Sequence, residues 1–206
     1  MPPEHLVLCG GLPATSRITE KTYRLVITGP AQNIELRISD ISRALVTNIP
    51  DVLTDLLELA AYIYCADGAI RRGGNTMVEM GRDWRRNLRF IVPVRLPEVW
   101  SSPPIATLLT DTLSFLSDDF YAFEFQQLRD PPAFQNYLEL SGSTPHGFRP
   151  DEVILFSGGL DSLAGAVEEL VGNARCVALV SHRSAPKIVS RQRELVDAIQ
   201  TRFGRH

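Results

Sequence analysis

The segment that most constrains this chain runs Val153-Ile154-Leu155-Phe156-Ser157-Gly158-Gly159-Leu160-Asp161-Ser162. Val153 to Phe156 is a continuous apolar run, the pattern of a strand buried on both faces. Two glycines follow. A helix-period segment then extends from about Asp161 or Ser162 to Val171, with Leu163, Val167 and Leu170 on one face and Gly172 where a helix stops. A second apolar run, Cys176 to Val180, and a second helical stretch, Lys187 to about Arg202 with Ile188, Leu195, Val196 and Ile199 as its stripe, repeat the order. Strand–helix–strand–helix predicts two parallel, adjacent strands joined by a right-handed crossover.

The glycine turn also has a chemical reading. Without Cβ atoms, Gly158 and Gly159 let the backbone turn sharply and let a ligand approach closely. Amides of the turn and of the first helical turn converge near the positive end of the helix dipole, which suits an anion. Ser157 and Ser162 add hydroxyls. Asp161 is a carboxylate beside an anion site; capping the helix, binding a metal that bridges phosphates, or both would account for it. The pattern is neither the Walker loop GxxxxGK[ST] nor the GxGxxG fingerprint. A tight turn with no ligand is the plainer alternative, but five such fixed residues arise by chance in roughly one chain in several thousand.

SGGLDS after a buried strand resembles the PP-loop ATP pyrophosphatase superfamily, whose members include asparagine, argininosuccinate, GMP and NAD synthetases. The resemblance implies an adenine nucleotide alpha-hydrolase-like, doubly wound α/β domain that cleaves ATP between its α and β phosphates with magnesium. A substrate oxygen is adenylated, pyrophosphate leaves, and a nitrogen or sulfur nucleophile displaces AMP. On this chain it implies that Ser157, Gly158, Gly159, Leu160, Asp161 and Ser162 hold the pyrophosphate portion, with Phe156 near the nucleotide and Asp161 at the metal. Leu179-Val180-Ser181-His182-Arg183 and Arg191-Gln192-Arg193-Glu194-Leu195 are similar to 7-cyano-7-deazaguanine synthases, in particular to longer members with an extra N-terminal domain found in prokaryotic anti-phage islands. Residues 51–73 and 83–100 are similar to that extra domain. The implied activity is an ATP-dependent, carbon–nitrogen bond-forming ligase of the queuosine-biosynthesis type. Its acceptor would be a deazapurine-like small molecule or a modified protein partner. Two departures accompany the resemblance: the zinc-binding cysteine cluster of the synthases has no counterpart, and only two strand–helix units follow Glu152. The expectation is therefore an N-terminal fragment, with any zinc site in a missing C-terminal part. The alternative is a non-catalytic interaction protein that retains a vestigial nucleotide loop.

Ser181, His182, Arg183 and Lys187 follow the second strand, where open α/β sheets place ligands. His182 suits proton transfer, and Arg183 or Lys187 suits phosphate charge; a polar loop entering a helix at Pro186 is the bland counterpart.

Upstream, the expectation is a smaller α+β domain over residues 1–128, a breaker-rich linker over 129–151, and the incomplete nucleotide domain over 152–206. Tyr23 to Thr28 and Asn33 to Ile38 predict a hairpin around Gly29-Pro30. Residues 51–66 predict a helix with Leu53, Leu56, Leu57, Ala60, Ala61 and Tyr64 on its apolar face. Residues 88–96 and 120–125 predict strands, and 105–116 a helix. No internal repeat or low-complexity tract stands out.

The 206 residues are 44% hydrophobic and carry a net charge of −3, which gives no bulk electrostatic case for nucleic acid or an anionic membrane. Arg71, Arg72, Arg82, Arg85, Arg86 and Arg89 cluster around Trp84; single-stranded nucleic acid could use such a set, but ion pairs are the commoner fate. Cys9, Cys65 and Cys176 form no CxxC pair, and no apolar run reaches the ~20 residues needed to span a bilayer. These features predict a cytoplasmic protein.

Overall fold

The computed structural model describes residues 4–13, 21–45, 48–73, 84–131, 150–182 and 186–203, with side chains 43–45 excepted. The chain divides into two compact units, Met1–Glu139 and Leu140–His206. Most of the expected linker, residues 132–149, lies outside the described residues.

The first unit is an α/β layer built on a four-stranded sheet in the order β2-β1-β3-β4. The strands are β1 (Glu4–Cys9), β2 (Thr22–Leu25), β3 (Asn87–Val94) and β4 (Phe120–Gln127). Every pairing is parallel, with Val7 opposite both Tyr23 and Phe90, and Phe90 opposite Phe123. The α+β expectation for this unit is therefore corrected to α/β. Of the expected hairpin only the turn forms: the Gln32 amide donates to Gly29 O at 3.1 Å and the Asn33 and Ile34 amides to Val26 O at 2.9 and 3.0 Å, but no second strand follows. Asn33 folds back onto the end of β2: its Oδ1 accepts from the Val26 amide at 2.7 Å and its Nδ2 donates to Arg24 O at 2.7 Å. The side chain thus takes the Val26 amide and the Arg24 carbonyl that a second strand would have bonded, and residues 32–37 run irregularly into α1 (Ile38–Leu45).

Parallel strands need crossovers. α1 and α2 (Asp51–Ala69) connect β2 to β3; α3 (Pro97–Trp100) and α4 (Pro103–Ser117) connect β3 to β4. α4 starts at Pro103, two residues ahead of the expected 105, because proline suits a first helical turn. Both crossovers advance in the same direction across the sheet. Accordingly α2 and α4 pack into one cluster with Val7, Cys9, Leu88, Phe90, Val92 and Val94. The alternate residues Leu6, Leu8 and Ile91 form a smaller cluster with Leu12. Along β4, Tyr121, Phe123 and Phe125 stack in sequence on the larger cluster, the period-2 aromatic alternation of a half-buried strand.

The packing face of α2 differs from expectation. Its buried residues are Thr54, Asp55, Glu58, Leu59, Tyr62 and Ala66, whereas Leu53, Leu56 and Tyr64 are exposed. Two carboxylates on the inner face are held by one arginine. Arg95 donates from Nη1 to Asp55 at 2.9 Å and from Nη2 to Glu58 at 2.9 Å. Asp55 also accepts from the amides of Arg95 and Leu96 and from Trp100 Nε1 at 3.2 Å. Burial disfavours the Arg95 charge, but Glu58 and Asp55 outweigh it and its pKa rises.

A second network closes the opposite end of the sheet. Asp119 accepts from the Arg86 amide at 2.8 Å and from Arg86 Nε at 3.0 Å, and Arg72 donates to it at 2.8 Å. Arg86 further donates to Ile70 O at 2.6 Å and pairs with Asp67. Arg85 pairs with Asp118, and Arg89 with Glu124. Four members of the arginine cluster thus serve as carboxylate partners of the fold; Arg82 lies outside the described residues.

The second unit is a two-stranded parallel sheet, β5 (Glu152–Leu155) beside β6 (Val177–Val180), with Val153 opposite Ala178 and Leu155 opposite Val180. α5 (Leu160–Val167) continues through a π-helical turn, Glu168–Gly172, and α6 (Pro186–Phe203) follows β6. The β–α–β–α order and the parallel pairing agree with the sequence reading. Burial on both faces does not. Val153, Leu155 and Val180 are exposed, and residues 152–155 alternate between half-buried and exposed.

Candidate functional site

β5 ends at Leu155, and Phe156 carries the chain inward: it is 1% exposed, and its amide donates to Val180 O at 2.7 Å. The turn that follows needs glycine at one position. Gly158 has φ of +82°, in the left-handed region that side chains disfavour, and it is buried against α6. A Cβ there would lie 3.1 Å from Gln192 Cγ. Gly159 has φ of −87°, open to any residue, and a Cβ would meet only Ser157 Oγ at 3.4 Å. The two glycines therefore divide their work: Gly158 makes the turn, and Gly159 keeps the outer side of the loop low.

Gly159 is the residue from which α5 begins. The Leu163 amide donates to Gly159 O at 3.1 Å, so the amides of Leu160, Asp161 and Ser162 precede the first intrahelical bond. They carry the positive end of the helix dipole. Ser157 and Ser162 line the same turn. Their hydroxyls are 3.1 Å apart, Ser157 Oγ accepts from the Gly159 amide at 3.2 Å, and Ser162 Oγ donates to Gly159 O at 3.1 Å. This chain of bonds preshapes the loop.

Asp161 stands in the first turn of α5, exposed, and makes no capping bond. Its capping role is thus corrected: the helix starts at Gly159, two residues earlier, so Asp161 lies past the capping position. Among the described residues no group of three or more His, Cys, Asp or Glu could hold a metal ion. Leu160 is 77% exposed and projects from the loop. His182 is exposed just beyond β6, and its carbonyl accepts from Gln192 Nε2 at 3.3 Å. Lys187 is exposed in the first turn of α6 and makes no hydrogen bond or ion pair with the loop among the described residues. Arg183 lies outside the described residues.

The residue that gathers the site is Gln192, 5% exposed on the inner face of α6. Its amide donates to Phe156 O at 3.2 Å, Ser157 O at 3.3 Å and His182 O at 3.3 Å. Ser181 Oγ adds a bond to Phe156 O at 2.9 Å. The carboxyl ends of both strands are therefore fastened to one helix. The signal was present in the sequence as a polar gap in the stripe Ile188, Gln192, Leu195, Ile199, which keeps the helical i, i+4, i+7 phase.

No protein-family model matches the chain, and no curated protein or solved structure matches it either.

Proposed function

We propose that the Leu140–His206 unit binds the phosphates of ATP in the manner of the PP-loop ATP pyrophosphatases. We propose further that it serves an adenylating synthase of the 7-cyano-7-deazaguanine synthase type. The observation that carries this reading is the left-handed turn at Gly158, clamped from behind by Gln192, with three helix-start amides beyond it. A preorganised ring of N–H donors costs little to order when an anion arrives. Ser157 and Ser162 would trade their mutual bond for bonds to phosphate oxygens. Gly159 leaves the space those oxygens need.

The site's donor chemistry fits magnesium. One exposed carboxylate, Asp161, is enough, because this ion takes one or two carboxylates and completes its shell with phosphate oxygens and water. Bound there, it would neutralise charge on the leaving pyrophosphate. In this reading His182, just beyond β6, would accept or return a proton, and Lys187 would attract a phosphate at longer range.

Calorimetric titration of the full chain with pyrophosphate and with Mg-ATP tests the reading. Wild type should bind both, and Gly158→Val should weaken both by about 100-fold or more, since the backbone cannot hold the turn. Asp161→Asn should weaken Mg-ATP far more than pyrophosphate alone. Wild-type affinity in Gly158→Val would overturn the assignment.

The exposed Val153, Leu155 and Val180 favour a second reading, a non-catalytic interaction protein that retains the loop. In that case nucleotide binding would persist without pyrophosphate release under any acceptor.

A further inference from the structure

The first unit has a ligand crevice of its own. In the order β2-β1-β3-β4 the chain leaves β1 toward one edge and returns to its other side at β3. The connections out of β1 and β3 therefore diverge, and a gap opens above the carboxyl ends of these strands. Open α/β sheets bind ligands in that gap.

The gap is occupied by a cavity of about 410 Å3 at the ends of β1, β3 and β4, bordered by Gly10, Gly11, Pro93, Gln127, Arg129 and Asp130 among others. That volume is within the ~300–1,000 Å3 of small-molecule sites. Its floor is built for close approach. Gly10 and Gly11 have φ of +61° and +72°. A Cβ on Gly10 would collide with the Pro93 ring, so Gly10 seals β1 against β3. A Cβ on Gly11 would meet nothing within 4 Å, so Gly11 faces open space. The Gly10 amide is taken by Leu25 O at 2.8 Å and the Leu12 amide by Cys9 O at 3.2 Å; the Gly11 amide between them has no partner among the described residues. On the far wall Gln127 spends its amide on Arg95 O and Leu128 O. Arg129 is exposed and, among the described residues, forms no ion pair. Asp130 adjoins it.

The local sequence echoes the second unit: Leu8-Cys9-Gly10-Gly11-Leu12 against Phe156-Ser157-Gly158-Gly159-Leu160. In both places Gly-Gly-Leu follows a strand at the carboxyl edge of a parallel sheet, directly after β1 and with two residues between it and β5.

We infer that this crevice binds a small organic anion of about mononucleotide size, its phosphate or carboxylate paired with Arg129 and the Gly11 amide. Asp130 accepts from a hydroxyl or amine elsewhere on the same molecule. Arginine meets either anion with paired N–H donors, and the glycine floor lets the molecule lie against backbone.

The test uses the full chain carrying Gly158→Val, which removes the phosphate turn of the second unit from the measurement. AMP and citrate are titrated separately by calorimetry; the first supplies a phosphate and the second carboxylates. At least one should bind with 1:1 stoichiometry, and the one that binds identifies the anion. Adding Arg129→Gln, a surface change that should leave thermal unfolding unaltered, should weaken that binding about tenfold or more. Failure of both probes to bind would overturn the inference, as would binding indifferent to Arg129→Gln. Arg129→Gln keeps the two readings distinguishable, because only binding in the first unit should respond to it.

Discussion

Asp55 and Asp119 stand at opposite ends of the same parallel sheet, each with a carboxylate that solvent barely reaches. Each satisfies backbone amides at one end of β3 while pairing with the arginine beside them. Such an acid fixes the strand's ends as much as it neutralises charge. Asp55→Asn keeps the volume, removes the charge facing Arg95, and presents an NH2 group to donors. It should cost about 3–5 kcal/mol in urea unfolding, the range for breaking a buried pair from one side. A loss under about 1 kcal/mol would mean that Glu58 alone satisfies Arg95. Neither acid could be recognised from local sequence. Asp55 looks like a solvent-facing residue of a helix until Arg95, 40 positions on, is placed against it.

α2 shows the same difficulty at the level of an element. Leucine, alanine, isoleucine and tyrosine surround this helix, so hydrophobic spacing supports more than one packing face. The true face is the one that includes Asp55 and Glu58, and polar residues there argue against it in any periodicity reading. Truncation separates the two faces: Leu59→Ala, on a side chain 1% exposed, should cost about 2–5 kcal/mol. Leu56→Ala, on the exposed side, should change stability by no more than about 0.5 kcal/mol. Equal losses would restore the face that spacing alone favours. By contrast, β5, α5 and the loop between them were legible, because strand, turn and helix are contiguous and each carries its own residue pattern. The clamp shows in the sequence only as the polar gap in the α6 stripe; its partners do not, since Gln192 reaches Ser157 across 35 residues. β1 was missed as well: its partners, β2 and β3, only become evident once the sheet is assembled, and a parallel pair leaves no hairpin turn to mark it.

At the scale of the whole molecule, two compact units each carry a parallel sheet whose carboxyl edge bears a Gly-Gly turn. The three cysteines are held differently. Cys65, on α2 of the first unit, is half-buried. Cys9 closes β1 inside the larger cluster, fully shielded, and burial pushes its thiol well above the usual range. Cys176, in the second unit, is only half-buried. A thiol reagent applied under native conditions should therefore modify Cys176 promptly and Cys9 only during excursions that open the first sheet. Asp55→Asn should raise the Cys9 rate by the factor its stability loss predicts, about 200- to 5,000-fold, and leave the Cys176 rate where it was. Proportional acceleration at both positions would show that the units open together. Cys9 thus serves as a built-in clock: the rate at which it surrenders its thiol reports, without denaturant, how often the first unit comes apart.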